Sequence, residues 1–325
     1  MNKNLIAISI GDIDGIGIEI LIKLWKKKIV NKFVLFTNKR IFKNHLKKNK
    51  IKLDINVVNL NYNKIEYLNS KFNIFDIDTK NKIDNTYKSI KISYQLCKKN
   101  IFLGLITLPL NKELIIKKIN KNFIGQTELL EKIDKRNTSN MIFIYRRLII
   151  SPLTTHININ KITKILSKKN YIFNKIKSIN KCLKNDFKIN NPKILISGIN
   201  PHAGEKGKIS NDENKILIPA IKKIKKNNIN IQGPISADAM LTTKNINKYD
   251  CFLFVYHDQA LIPFKYISKF SGVNFTANLN IIRTSPDHGT AYDLVGKNKA
   301  IPLSLLNCFN LISKINKNRN TFIKS

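Results

Sequence analysis

Five short, nearly unbroken apolar runs punctuate this chain, and amphipathic segments separate them. The runs are Leu5–Ile10, Phe33–Phe36, Met141–Tyr145, Ile194–Ser197 and Cys251–Tyr256. A strand that is apolar at every position, rather than at every second one, has both faces covered, as in a parallel sheet between helices. The intervening segments supply the helices. Ile172, Phe173, Ile176, Ile179 and Leu183 form a stripe at the 3.6-residue period, with Lys175 and Lys177 among the intervening positions. A second stripe runs from about 211 to 226 through Ile216, Ile218, Ile221 and Ile224. Strand–helix alternation of this kind predicts an α/β fold with a largely parallel sheet. At 325 residues and 43% hydrophobic content, the chain has the material for one extended domain or two smaller ones. The polar stretch from Asp134 to Asn140 marks a subdomain change near residues 130–140.

Several function classes drop out early. No apolar run approaches the roughly 18 residues that a membrane span needs. The opening residues hold one short apolar stretch ending on Gly11-Asp12, which does not read as a secretory leader. Cys97, Cys182, Cys251 and Cys308 are scattered and form no CxxC pair. That argues against a disulfide framework or a thiolate zinc site, and for a reducing cytoplasm. The formal net charge of +37 invites a nucleic-acid reading. However, only six of the 58 basic residues are Arg, the type that reads bases and phosphates bidentately. Lys, Asn and Ile are in excess together, as an A/T-biased coding sequence would produce. Drift on solvated faces explains the charge; no specific nucleic-acid or membrane partner is expected, only salt-sensitive nonspecific binding.

The Lys-free stretches are more informative. Residues 194–205, 227–243 and 270–296 hold no Lys, and the last of these carries Asn274, Arg283, Thr284, Ser285, Asp287, His288, Thr290 and Asp293. A core does not need those residues; a site does. Three of the five histidines also share a context. His156 follows Leu148-Ile149-Ile150 and a short turn, His202 follows Ile194-Leu195-Ile196, and His257 follows the run ending at Tyr256. Ligands of open α/β sheets bind beyond the carboxyl ends of strands. Three imidazoles converging there, with a vacant fourth position, would make a catalytic divalent-metal site, with zinc the usual occupant. His45 lies in a Lys-rich helical stretch without polar partners and is given no role.

Gly11-Asp-Ile-Asp-Gly-Ile-Gly17 follows a strand and precedes a helix, yet it matches neither G-x-G-x-x-G nor a P-loop, so no Rossmann fingerprint is read here. The loop Asp287-His288-Gly289-Thr290 is expected to open a helix ending near Gly296, whose N–H groups would face a phosphate or carboxylate. Arg283 and Lys265 are candidates to hold such an anion through charge-assisted hydrogen bonds.

In order along the chain stand Gly11–Gly17 with Glu19, Thr107-Leu-Pro-Leu-Asn-Lys112, Gly125-Gln-Thr-Glu128, Thr155-His-Ile157 and Asn200-Pro-His-Ala-Gly-Glu205. Gly233-Pro-Ile-Ser-Ala-Asp238, Tyr256-His-Asp-Gln259, Ile262-Pro-Phe-Lys265 and Ile282-Arg-Thr-Ser-Pro-Asp-His-Gly-Thr-Ala291 follow. This set resembles the 4-hydroxythreonine-4-phosphate dehydrogenase family of pyridoxal phosphate biosynthesis, from residue 5 to about 310. The resemblance implies a three-layer α/β/α homodimer, related in fold to the isocitrate and isopropylmalate dehydrogenases. It implies two subdomains, about 1–135 plus 270–325 and about 136–269 (the dimerisation side), with the active site in the cleft between them. It also implies His156, His202 and His257 as ligands of zinc, magnesium or cobalt. Substrate contacts would fall on Gln126, Thr127, Lys265, Asn274 and Arg283, and the Asp287, His288, Gly289 and Thr290 loop would hold the adenosine of NAD or NADP.

The implied reaction is NAD-dependent oxidation of 4-(phosphooxy)-L-threonine, a phosphorylated hydroxy amino acid. The product decarboxylates to 3-amino-2-oxopropyl phosphate, and Asp258 or Lys265 would assist proton removal. The chain departs from the family pattern at Gln126, where His is usual; an amide donates hydrogen bonds but neither carries charge nor shuttles a proton. Ile18 and Ala239 replace a common Pro and a common Thr. Two other readings compete: a paralogous dehydrogenase of threonate or erythronate 4-phosphate, and a polyanion-binding surface on a decayed enzymatic core.

Overall fold

The computed structural model describes residues 4–61, 64–135 and 139–320. The chain divides into two compact units, Met1–Arg136 with Leu279–Asn316, and Asn137–Asn278 with Lys317–Ser325. Strands of the first unit are β1 (Ile6–Ser9), β2 (Phe33–Thr37), β3 (Ile55–Val57), β4 (Leu60–Asn61), β5 (Lys64–Ile65), β6 (Phe72–Asp76) and β7 (Leu105–Thr107). The second unit contributes β8 (Asn140–Tyr145), β9 (Leu148–Thr154), β10 (Ile194–Ser197), β11 (Ile231–Ile235), β12 (Cys251–Tyr256) and β13 (Val273–Ala277). The chain then returns to the first with β14 (Arg283–Pro286).

In the first unit the order β14-β7-β1-β2-β6-β3 is parallel throughout, and β4–β5 is a separate antiparallel pair. Helices α1 (Ile16–Lys26), α2 (Lys39–Lys48), α3 (Lys82–Lys98), α4 (Lys112–Lys118) and α5 (Gln126–Asp134) fall between or after its strands. Every residue of β1, β2 and β7 is buried, which is why these runs lack alternation. Phe36 lies between Phe75 and Phe102 at ring-centroid distances of 5.0 and 5.5 Å. Truncating such a buried ring typically costs about 3–5 kcal/mol. Asn side chains start three of the helices: Asn38, Asn81 and Asn111 each accept a hydrogen bond from a first-turn N–H. An Asn-rich chain therefore spends part of that composition on N-caps, each typically worth about 1 kcal/mol.

In the second unit β11-β10-β12-β9 are parallel, but β8 pairs antiparallel with both β9 and β13. Its helices are α6 (Ile162–Leu166), α7 (Tyr171–Phe187), α8 (Ile218–Lys226), α9 (Thr243–Lys248) and α10 (His257–Ser268); α11 (Leu303–Asn320) closes the described chain. The stripe predicted for 172–183 lies on α7, whose Ile172, Ile176, Ile179 and Leu183 are buried. The stripe from about 211 to 226 is divided: a π-helical turn covers Glu213–Leu217 before α8 begins. The helix expected after Gly289 is reduced to a single 3₁₀ turn, Tyr292–Leu294. Ala291 and Gly296, at φ of +42° and +74°, take left-handed backbone that an α-helix cannot contain.

Candidate active site

A densely wired polar group in the first unit surrounds Arg283. It stands at the start of β14, opposite Leu105 of β7, and is 1% exposed. Its Nε and Nη2 donate to Thr107 Oγ1 at 3.1 and 2.5 Å, Nη2 also to Gln126 Oε1 at 2.7 Å, and Nη1 to Thr127 Oγ1 at 3.3 Å. Gln126 and Thr127 open α5, and Thr107 ends β7, so three elements converge on one guanidinium. Burial pushes that group down to about 10, which still leaves it cationic at neutral pH. Gln126 is fixed from both ends: its Oε1 also accepts from Thr107 Oγ1 at 2.6 Å, and its Nε2 donates to the Leu108 carbonyl at 2.8 Å. The amide thus faces a cation with its oxygen, a role that a protonated imidazole could not fill.

The 287–296 loop docks on the glycine-rich loop before α1. Ile16 N–H donates to the Thr290 carbonyl at 3.0 Å and Gly296 N–H to Glu19 Oε2 at 2.8 Å. A Cβ on Gly15 would sit 3.0 Å from that same Thr290 oxygen, so a side chain here would fit only if the loop gave way by a few tenths of an ångström. Asp287 is buried and its N–H donates to Ser304 Oγ; His288 Nδ1 lies 3.0 Å from the Gly289 carbonyl. Beside this loop a cavity of about 590 Å³ is lined by Asp12, Asp14, Lys82, Thr86, Asn111 and Tyr292, among others. The Tyr292 hydroxyl donates to Asp12 and accepts from Asn111, and Lys82 pairs with Asp14 at 2.7 Å. His45, expected to lack polar partners, reaches to 4.0 Å from Asp14. The chain brings α2 and the Gly11–Gly17 loop together across 31 residues, which no local pattern reports. Burial nonetheless holds the His45 imidazole below its ordinary range, against the pull of Asp14.

In the second unit His156 follows β9 and His257 follows β12, two strands that pair in parallel. Their rings lie 5.5 Å apart, centroid to centroid. Both line a pocket of about 250 Å³ with Thr154, Thr155, Ile157 and Tyr256. Asp258 Oδ1 is 2.6 Å from His257 Nδ1. An ionised carboxylate only accepts, so this contact places the proton on Nδ1 and leaves the Nε2 lone pair available. His202 is not part of that pair. It sits on a loop of five consecutive left-handed residues, His202–Lys206, near Asp238. The Asp238 carboxyl is held below its usual range first by the Ser236 hydroxyl and, more weakly, by His202. Among the described residues no group of three or more His, Cys, Asp and Glu side chains is gathered closely enough to hold a metal ion. Lys265 lies two turns along α10, its Nζ 5.2 Å from the Phe270 ring centroid. Asn274 is in β13 opposite Phe143, and its buried Oδ1 has no hydrogen-bond partner among the described residues.

The model of the family described as pyridoxal phosphate biosynthetic protein PdxA matches residues 26–312. The chain belongs to this family. Among PdxA-family relatives, the 4-hydroxythreonine-4-phosphate dehydrogenase of Aquifex aeolicus is 36% identical over 97% of this chain and 99% of its own. The enzyme of the same name from Wigglesworthia glossinidia brevipalpis is 34% identical, covering 98% of each chain. The crystal structure of 4-hydroxythreonine-4-phosphate dehydrogenase from Klebsiella pneumoniae superposes with a TM-score of 0.81 at 26% identity, over 96% of this chain and 99% of that one. The α/β fold read from the strand runs is thus the PdxA fold. Thr107 and Asn111 stand in the Thr107–Lys112 motif without a role read from it, and Tyr292 is not singled out by the sequence. Thr107 was within reach, because it ends an apolar strand as the histidines do. Tyr292 was not, because the left-handed turn that aims it has no periodic signature.

Proposed function

We propose that the chain oxidises 4-(phosphooxy)-L-threonine with NAD or NADP, in the pathway to pyridoxine 5'-phosphate. The observation that carries the reading is the Arg283 network. Such a buried guanidinium, held by Thr107, Gln126 and Thr127, suits one end of a phosphorylated substrate. The names of the relatives favour this amino-acid phosphate over the sugar-acid phosphates.

The C3–H bond gives up its electron pair as hydride, the C3 hydroxyl gives up its proton, and a ketone forms. The resulting 3-keto acid then loses carbon dioxide as the C1–C2 bond breaks. A proton replaces the carboxylate on C2, which yields 3-amino-2-oxopropyl phosphate. A nicotinamide cofactor, when bound, accepts the hydride; its adenosine would lie against Asp287, His288, Gly289 and Thr290, beside the Tyr292 cavity. A donor set of neutral imidazoles suits zinc or cobalt better than magnesium, which prefers oxygen ligands; His156 and His257 would be ligands and His202 a third. Such an ion, when bound, supplies Lewis-acid stabilisation of negative charge. Asp258 orients His257 through Nδ1, and Asp258 or Lys265 takes the hydroxyl proton. Asn274, with its buried acceptor, and Lys265 orient the substrate.

A homodimer is supported by α10, where Ile262 and Tyr266 stand at i and i+4 on one face and are 71% and 85% exposed. Residence in the cytoplasm is supported by four free, buried cysteines. Among the described residues no helix is long and apolar enough to cross a membrane.

The test is NADH formation from 4-(phosphooxy)-L-threonine after chelation and after zinc, magnesium or cobalt is restored. Turnover that returns with metal is expected. A folded protein that turns over only threonate or erythronate 4-phosphate would overturn the substrate.

A further inference from the structure

Both ends of α5 are fastened to one short stretch of chain, and the second fastening has no part in the proposed chemistry. At the first end Thr127 Oγ1 accepts from Arg283. At the other stands Asp134, the last residue of the helix, which is 4% exposed. Local rules argue against an acid there. The C-terminal end of a helix favours cations, and this chain has 58 basic residues to place against 21 acidic ones. Burying a carboxylate is also costly unless its hydrogen bonds are made. Three neutral donors reach this one. The Asn280 backbone N–H donates to Oδ2 at 2.7 Å, the Asn280 side-chain amide to Oδ1 at 2.7 Å, and the Tyr94 hydroxyl of α3 to Oδ1 as well.

The geometry joins this group to the Arg283 network. Asn280 precedes Arg283 by three residues, and Asp134 follows Thr127 by seven, two helical turns along one face. Leu130, fully buried, lies between them on that face, and it shares one apolar cluster with Leu129, Leu279 and Ile281. The two fastenings are thus about 10 Å apart along α5. The chain from Asn280 to Arg283 runs from the second to the first. Gln126 and Thr127 keep their places against the guanidinium only if α5 neither slides nor turns relative to β14. The Asp134–Asn280 contact, which engages main chain and side chain together, opposes both movements.

We propose that Asp134 is a positioning residue: through Asn280 it sets the register of α5 against β14, and with it the reach of Gln126 and Thr127 to Arg283. The inference rests on Arg283 holding one end of the phosphorylated substrate, as proposed above. It is tested on the full chain with Asp134→Asn, Asn280→Ala, Tyr94→Phe and Arg283→Lys. KM and kcat for 4-(phosphooxy)-L-threonine are measured beside melting temperature and circular dichroism. Asp134→Asn sets an amide NH2 against the Asn280 donors, and Asn280→Ala deletes one of them, so both loosen the link. Small misplacements of a positioned group cost up to about 100-fold, and each of these variants is expected to raise KM about 10-fold with kcat near parental. Tyr94→Phe takes a donor from the same carboxylate but spares the link to Asn280. Its melting temperature is expected to fall while KM stays parental. Added to Arg283→Lys, Asp134→Asn is expected to raise KM no further, because residues that act through one another are not additive.

Parental KM in both link variants, alongside a raised KM in Arg283→Lys, would overturn the positioning role alone. So would a KM rise in Tyr94→Phe equal to that in Asp134→Asn, since the loss would then follow stability, and so would an additive rise in the double variant. Parental KM in Arg283→Lys, or no turnover of this substrate by the parent protein, would remove the reading of Arg283 and the proposal with it. If Asp134→Asn does not fold, Asn280→Ala decides: a raised KM upholds the proposal and a parental KM overturns it.

Discussion

The Arg283 group and the histidine pair are opposite solutions to the problem of holding a polar site ready. Arg283 is buried, and its hydrogen bonds lead to Thr107, Gln126 and Thr127, each of which sits at the end of a helix or strand. Its geometry exists before any substrate arrives, and a buried guanidinium that lost its partners would be costly. His156 and His257 follow β9 and β12 and share an open pocket, in which Asp258 anchors His257. The first region spends folding energy on preorganisation. The second sets its rings in the wall of a pocket that a ligand can enter. Damage should therefore appear in different observables: stability and substrate affinity for the first, metal affinity for the second.

The largest effect is expected from Arg283→Met. Removing the guanidinium leaves the buried Thr107, Gln126 and Thr127 oxygens without this donor, and a buried polar group left unsatisfied costs about 1–3 kcal/mol. Both kcat/KM with the phosphorylated substrate and the melting temperature should fall. A variant with parental melting and parental KM would collapse the contrast. Asp258→Asn comes next. An amide no longer accepts as a carboxylate from His257 Nδ1, and metal affinity should drop by about 10–100-fold with little change in melting. An equal loss of stability would mean that the second region is as preorganised as the first.

The smallest and most diagnostic variant is Gln126→His. A histidine there would be buried against the Arg283 cation, and both effects depress an imidazole pKa. Its folded pKa then lies below the unfolded value of about 6.5, so the unfolded chain binds the extra proton first. Stability relative to the parent should be close to unchanged above that value and should be lost as pH falls through the folded pKa. Melting curves between pH 5 and 8 read this directly. A flat difference across that range would mean that the position does not feel Arg283.

Much of this contrast was legible in the residues. Runs such as Phe33–Phe36 and Cys251–Tyr256 carry no alternation because helices cover both faces, and that alone leads to the α/β fold. The histidines after β9 and β12 were found by their place at strand ends. What escaped lies in backbone of positive φ and in side-chain direction. The loop from His202 to Lys206 turns left-handed at five residues, four of them not glycine, and composition does not announce that. The helix expected after Gly289 failed for the same reason, at Ala291. Gln126 was recognisable as a departure, but only the paired contacts of its amide show that the oxygen serves the guanidinium.

The four buried cysteines have a practical consequence. Burial pushes the Cys97, Cys182 and Cys251 thiols well above their ordinary range and Cys308 up to about 12. Thiolate is the reactive form, so alkylating reagents and peroxide find almost none of it in the closed protein. Labelling must then wait for a segment to open, and its rate becomes a clock for local unfolding. Cys97 on α3 and Cys308 on α11 time the first unit, Cys182 on α7 and Cys251 on β12 the second. The chain thus carries four built-in gauges of where it loosens first, with no probe added.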